Sequence, residues 1–178
     1  MTAAASRHRI AADFIAAQRF LEKQGWTDGL PVIPPTEELV REMLAAGGAP
    51  GAERLGVMEP LNGIVTVEKV AANAVMAGCA PEYFSVVLAT VRAVMQPQFH
   101  VGSTACTTGG AAPVVMVSGP IAAKLEINSS TACFGGNVKA NATIGRALRL
   151  VMRNIGGAKP DGMEIGRASC RERVSCCV

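Results

Sequence analysis

The stretch that most constrains the fold runs from Lys69 to Met95 and reads KVAANAVMAGCAPEYFSVVLATVRAVM. Apolar residues dominate both sides of a Gly78-Cys79-Ala80-Pro81 corner, which predicts two helices joined by a tight turn. Proline suits the first turn of a helix, so we expect Cys79 just before the second helix. Free N–H groups and the helix dipole favour a thiolate there. A free cysteine is also among the most buried residue types, so a structural thiol is the alternative.

Three further helices are predicted from the spacing of apolar residues. One runs from about residue 4 to residue 24, and a second begins after an N-cap at Thr36 and ends at Gly47-Gly48. The last long helix extends from about Asn137 to Ile155. The apolar face of the first helix is predicted to consist of Ile10, Phe14, Ala17 and Leu21.

Short apolar runs between these helices predict strands. The runs 55–58 and 64–67 flank an Asn62-Gly63 turn, which is typical of a strand pair. His100–Cys106 predicts a third strand, and Pro113–Ser118 a fully buried one, followed by a short helix over 121–125. Helices interleaved with a few short strands indicate an α/β or α+β fold. We find no domain boundary within residues 1–163, which predicts a single domain there.

The C-terminal segment from Glu164 has a different character from the rest of the chain. Its first eleven residues, EIGRASCRERV, resemble one translated frame of a common sequencing adapter. We therefore treat 164–178 as a non-native tail and leave it out of the fold prediction. A chain that ends in such a tail is expected to be an incomplete part of a larger protein.

Charge and composition exclude several classes of function. The formal net charge is +3, and no cluster of Lys and Arg forms a basic stripe, so we expect no nucleic-acid partner. No apolar run is long enough to span a bilayer, so no membrane association is expected. Charged residues interrupt the N-terminal stretch, which argues against a signal peptide and favours a cytoplasmic location.

Two glycine-rich loops are candidates for substrate binding. Thr107, Thr108 and Gly109 follow Cys106 at a predicted strand end, where small residues let a ligand approach the backbone. The second loop precedes the last long helix, whose free N–H groups could hold an anion. It consists of Gly135, Gly136 and Asn137, followed by Lys139 and Asn141 in the first turn of the helix.

Other charged residues have no predicted role in a site. Arg146, Arg149 and Arg153 lie on later turns of the last helix and are expected to be solvated. Asp28 and Glu59 lie in loops without an identified partner for acid–base chemistry.

Without the tail, three cysteines remain, Cys79, Cys106 and Cys133, spaced 27 residues apart. Their odd number and wide spacing argue against a disulfide framework. No ligand pair has metal-site spacing, so no metal site is assigned, although three equivalent cysteine loops could converge on a soft metal or an iron–sulfur cluster. No cofactor can be identified from the sequence.

Three segments resemble a bacterial family linked to proteins with a UGSC-type (seleno)cysteine domain. They are Gly25–Val32 (GWTDGLPV), Ala74–Phe84 (AVMAGCAPEYF) and Asn141–Leu150 (NATIGRALRL). The family has no established activity to transfer, and the resemblance implies thiol or selenol redox chemistry at most.

Two hypotheses of function follow from these features. In the first, the chain is a thiol-dependent enzyme with Cys79 as its catalytic residue, acting on a small substrate that could be an anion. In the second, it is a non-catalytic partner or scaffold subunit whose apolar helices complete a core with another chain, which implies an oligomer or a partner protein.

Overall fold

The computed structural model describes residues 5–10, 13–106, 112–134 and 138–159, together with the backbone of residues 176–177. This part of the chain contains seven α-helices and four short strands. The helices are α1 (Phe14–Lys23), α2 (Glu37–Gly47), α3 (Val67–Ala77), α4 (Phe84–Val94), α5 (Val101–Ala105), α6 (Pro120–Lys124) and α7 (Lys139–Val151). The strands are β1 (Arg54–Met58), β2 (Gly63–Thr66), β3 (Val115–Met116) and β4 (Cys176–Cys177).

The strands form two separate pairs. β1 and β2 make an antiparallel hairpin in which Val57 lies opposite Ile64 and Met58 opposite Gly63. β3 and β4 are parallel, and each contributes only two residues to the pair. Helices interleaved with a few short strands confirm the predicted mixed α/β class.

The core lies between α3 and α7, which pack against each other more extensively than any other pair of described elements. α2 and α4 pack against α3, and α4 also contacts α7. Valine and alanine dominate the buried face of α3, while Ile144, Leu148 and Val151 are buried on α7. Among the described residues, Phe84 has the largest fully buried side chain, and it is the first residue of α4.

Local signals correctly placed the start of α2 and the ends of α2 and α3. The hydroxyl of Thr36 accepts the Leu39 N–H at 3.3 Å, as expected of an N-cap. Gly48 and Gly78 close α2 and α3 in the left-handed conformation, with φ of 63° and 86°. The predicted pair of helices around the Gly78–Pro81 corner is confirmed, with a 3₁₀ turn at Pro81–Tyr83 leading into α4.

The first predicted helix is too long. α1 begins only at Phe14, because the Asp13 carboxylate accepts the Ala16 N–H at 2.9 Å and caps the helix there. Of the four residues predicted to face the core, only Ala17 and Leu21 are buried, while Ile10 and Phe14 are exposed. The last helix is also shorter than predicted: α7 ends at Val151, and a π-helical turn, Met152–Gly156, continues to the predicted stop.

One predicted strand is a helix, and another was predicted one residue too long. His100–Cys106 contains helix α5, in which the Thr104 N–H donates to the His100 carbonyl and the Cys106 N–H to that of Gly102. Val67, assigned to a strand, instead begins α3, because the Thr66 hydroxyl caps that helix through the Lys69 N–H at 3.4 Å.

The segment Pro113–Ser118 was predicted as a fully buried strand, and it is not. Only Val115–Met116 has strand geometry, and burial alternates along the segment. Val115 and Val117 are buried, whereas Val114 is 58% exposed and Met116 is 80% exposed. One face of the segment is therefore covered and the other is open.

In the described part of the chain, no helix has both the length and the apolar character needed to cross a membrane.

Candidate functional site

Cys79 lies at the corner between α3 and α4, where the sequence places it. Its backbone N–H donates to the Ala74 carbonyl at 3.0 Å and so belongs to the C-terminal cap of α3. Its side chain is buried, with 8% of the residue exposed, and Sγ donates to the Thr143 carbonyl of α7 at 3.3 Å. Only a protonated sulfur can donate this hydrogen bond, so the geometry is that of a thiol packed in the core.

The loop 26–35 covers the end of α3 beside Cys79. The Ile33 N–H donates to the Met76 carbonyl at 3.2 Å. A Cβ atom placed on Gly78 would contact Ile33 Cδ1 at 3.9 Å and Thr143 Cγ2 at 3.8 Å, so loop, corner and α7 meet there. The Gln18 side chain of α1 holds the same loop by bonding both the N–H and the carbonyl of Val32.

Arg146, predicted to be solvated, instead binds Asp28. Its Nε and Nη2 donate to the two Asp28 carboxylate oxygens, each at 2.8 Å, and Nη2 also donates to the Pro31 carbonyl at 2.8 Å. The side chains of Asp28 and Arg146 are 11% and 23% exposed. Burial on its own would raise the pKa of Asp28, but the hydrogen bonds and charge of Arg146 outweigh it, so that the pKa is lowered.

The prediction of solvated arginines also fails at Arg149, which is buried. Arg153 is half-buried, and its Nε has no hydrogen-bond partner among the described residues.

These contacts bring the three segments of the family resemblance to one place, which we call the three-segment junction. Asp28 comes from the first segment, Cys79 from the second, and Thr143 and Arg146 from the third. The π-helical turn adds Asn154, whose Nδ2 donates to the Trp26 carbonyl at 2.9 Å and to Asn73 Oδ1 at 2.7 Å. The junction thus combines one thiol with a shielded ion pair.

Tyr83 lies close enough to Cys79 for their charges to interact. Its pKa is raised first by burial, then by the negative charges of Glu82 and Glu126, and last by the charge that Cys79 carries when its thiol is ionised. The phenol therefore holds its proton more strongly than an ordinary tyrosine does.

The side chain of Asn141 forms hydrogen bonds within the chain. Its Oδ1 accepts the Asn128 N–H at 2.9 Å, and its Nδ2 donates to the carbonyls of Asn128 at 2.9 Å and Cys133 at 3.2 Å. The amide, which the sequence predicted to line an anion site, thus holds the loop before α7.

Only one of the other predicted substrate-binding residues lies in the part of the chain that the structure describes. Thr107, Thr108, Gly109, Gly135, Gly136 and Asn137 lie outside the described residues. Lys139 is described: it is the first residue of α7, and its side chain is exposed.

The other two cysteines differ from Cys79 in exposure. Cys106 and Cys133 are half-buried, and none of the three forms a disulfide within the part of the chain that is described. In the described part of the chain, no group of three His, Cys, Asp or Glu side chains is arranged to hold a metal ion.

An open apolar groove lies between α4 and the segment Pro113–Ser118, and we call it the α4 groove. Its volume is about 590 Å³. Val86, Thr90 and Val94 of α4 line one side, and the other includes Val114 and Met116. No ionisable side chain lines the groove in the described structure. The structure reveals this groove through the alternating burial along Val114–Val117. The sequence showed only an unbroken apolar run there.

Comparisons with protein-family models, with curated proteins and with solved structures found no match to this chain. The resemblance of the three segments to a bacterial family therefore stays a prediction.

Proposed function

We propose that this chain is a non-catalytic partner subunit that binds an extended, apolar segment of another protein in the α4 groove. The observation that carries the proposal is the exposure of Val114 and Met116, two large apolar side chains beside an apolar groove. Contiguous exposed apolar surface on a folded chain commonly marks an interaction site.

The backbone of the groove supports an extended occupant. β3 pairs in parallel over two residues with β4, which belongs to the predicted non-native tail, so this edge is open to another strand in a chain without that tail. A segment that adds to such an edge gains main-chain hydrogen bonds, while alternate side chains enter the groove. Val115 and Val117 point to the covered side of the segment, so the occupant would pack on Val114 and Met116.

Charge supports an apolar occupant. A charged side chain buried in a groove without an ionisable partner would lose its hydration without compensation. Because the described lining is free of ionisable side chains, an uncharged partner segment fits best.

Sedimentation velocity over a range of protein concentrations tests this proposal. With the α4 groove unfilled, we expect the isolated chain to self-associate, and Met116→Lys to reduce that association by placing a charge in the groove. Leu61→Lys is the matched control, because Leu61 is 68% exposed on the β1–β2 hairpin and does not line the groove. A monodisperse monomer at every concentration, or an equal effect of both substitutions, contradicts the proposal.

The second candidate function is a thiol-dependent enzyme that uses Cys79 as the reactive residue and acts on a small anionic substrate. The observation that favours it is the three-segment junction, in which Cys79 lies beside Thr143 and near the Asp28–Arg146 pair. The burial of Cys79 and its hydrogen bond to the Thr143 carbonyl favour the alternative, in which the thiol is structural.

Iodoacetamide labelling of the native protein across pH, read by mass spectrometry, separates these roles. A catalytic Cys79 should be labelled faster than the half-buried Cys106 and Cys133, and at lower pH. A Cys79 that reacts only after denaturation would rule out the enzyme hypothesis.

A further inference from the structure

A second groove lies on different elements, between the N-terminal segment, α1 and the stretch Ile33–Leu39. We call it the α1 groove, and its volume is about 570 Å³. His8, Phe20 and Trp26 form a ring cluster in its lining. The His8 ring centroid is 5.4 Å from each of the other two, and Phe20 meets Trp26 edge to face at 6.1 Å.

The apolar lining extends to exposed residues that the core does not require. Phe14 is 53% exposed, and Ile33 is also exposed, yet both line the groove next to the half-buried rings of Phe20 and Trp26. Leaving such side chains in water forgoes the stabilisation that burial would bring, which an apolar ligand could restore.

The groove is held in shape before any ligand arrives. The backbone N–H of Trp26 donates to the Leu21 carbonyl at 3.0 Å. The backbone carbonyl of Trp26 accepts a hydrogen bond from the Asn154 side chain at 2.9 Å. Pro34 and Pro35 form part of the wall, and their rings fix the backbone φ. A preorganised pocket loses little conformational freedom on binding, which favours affinity for a small ligand.

The charged groups in the lining already have partners within the chain. Arg7 pairs with Glu37 at 3.2 Å and with Glu68 at 3.4 Å. The Asp13 carboxylate accepts the Ala16 N–H as the cap of α1. A charged ligand would have to compete with these contacts, whereas an uncharged one can pack on the apolar lining without disturbing them.

We infer that the α1 groove binds an uncharged, apolar small molecule with an aromatic ring or a short aliphatic chain. The ligand would pack on Phe20 and Trp26 and be covered by Phe14. The groove volume lies within the range of small-molecule sites, about 300–1,000 Å³. Its described lining comes from helices and a proline-interrupted stretch, with no strand edge to which an extended protein segment could add.

Titration with N-phenylnaphthylamine, a neutral probe that fluoresces in apolar sites, tests this inference. We expect the probe to quench Trp26, the single tryptophan of the chain, in a saturable manner, and the Kd is read from this quenching because the α4 groove is also apolar. Phe14→Ser should raise the Kd about tenfold, because the lost ring contact corresponds to roughly 1.4 kcal/mol. Phe14 is exposed, so its replacement leaves the core intact.

Met116→Ser serves as the matched control, since Met116 lies in the α4 groove and should leave the Kd unchanged. An unsaturable titration, an unchanged Kd for Phe14→Ser, or an equal rise for Met116→Ser would overturn the inference. Sedimentation of the probe-bound protein adds a further check. If dimerisation displaces the probe, and Phe14→Ser abolishes the dimer, the natural occupant is a second copy and the small-ligand assignment is wrong.

Discussion

Arg146 of α7 holds the carboxylate of Asp28 with two hydrogen bonds of 2.8 Å, although 118 residues separate them in the chain. A third bond from the same guanidinium reaches the Pro31 carbonyl, also at 2.8 Å. One side chain thus anchors both the charge and the backbone of the loop 26–35 on the core helix. The planar fork of arginine suits this arrangement, which a lysine ammonium cannot reproduce.

We expect Arg146→Lys to lower the free energy of unfolding by about 1–2 kcal/mol, because the bidentate bond and the loop contact are lost while the charge is kept. Urea denaturation measures this effect. Arg92→Lys is the matched control, since Arg92 pairs with Glu53 at the surface at a similar distance of 2.8 Å. Exposed ion pairs contribute about 0–1 kcal/mol to the free energy of unfolding. An equal loss of stability in both variants would therefore contradict the expectation that the shielded Asp28–Arg146 pair contributes more.

The same pair predicts a loss of stability in acid. The pKa of Asp28 in the folded protein lies below its ordinary value of 3.8, so the unfolded state takes up the proton first. The stabilisation is complete above that ordinary value and is lost as pH falls through the lowered pKa. Urea midpoints measured from neutral pH down to about pH 2 should show this loss in the wild type and not in Asp28→Asn. Parallel curves for the two proteins would contradict the assignment.

Removing the buried amide of Asn141 should destabilise the loop before α7. Asn141→Ala leaves the N–H and the carbonyl of Asn128 without this partner, at a cost of about 2 kcal/mol. Limited proteolysis should then cut faster within residues 128–134, and urea denaturation should give the free-energy change. Ser129→Ala, an exposed change in the same loop, should alter neither measurement by much.

Tyr83 is the single tyrosine of the chain, so its ionisation can be followed by ultraviolet absorbance. We expect its pKa to lie above the ordinary value of 10.0, because burial and nearby negative charges oppose the phenolate. Glu82→Gln removes one of those charges and should move the pKa of Tyr83 downwards. Glu22→Gln, which changes a glutamate that does not act on Tyr83, should leave it in place. A Glu82→Gln titration identical to that of the wild type would argue against this electrostatic account.

Sequence patterns predicted the elements whose signals are local. Thr36, Gly48 and Gly78 act within a turn of the helix ends that they form, so their roles could be inferred without knowledge of the fold. Asn62-Gly63 located the hairpin for the same reason. The helix α5 could not be distinguished from a strand, because a short apolar run fits either structure until its neighbours are known.

The candidate site was predictable only in part. Cys79 was located from its corner, but its bond to the Thr143 carbonyl depends on how α7 packs against that corner. Arg146 and Arg149 looked solvated, because helical spacing gives the direction of a side chain and not the element that covers it. Val114 and Met116 looked buried for a similar reason, since an apolar run does not reveal whether one or both of its faces are covered.

The sequence by itself therefore determined the mixed α/β class, the approximate positions of the main helices, the N-cap of α2, and the position of Cys79 at a corner, because short-range interactions govern all of these. Tertiary structure alone decided that Cys79 donates to α7, that Asp28 pairs with Arg146, and that two apolar grooves stay open. These features depend on which elements meet in space, and hydrophobic burial does not specify that choice locally.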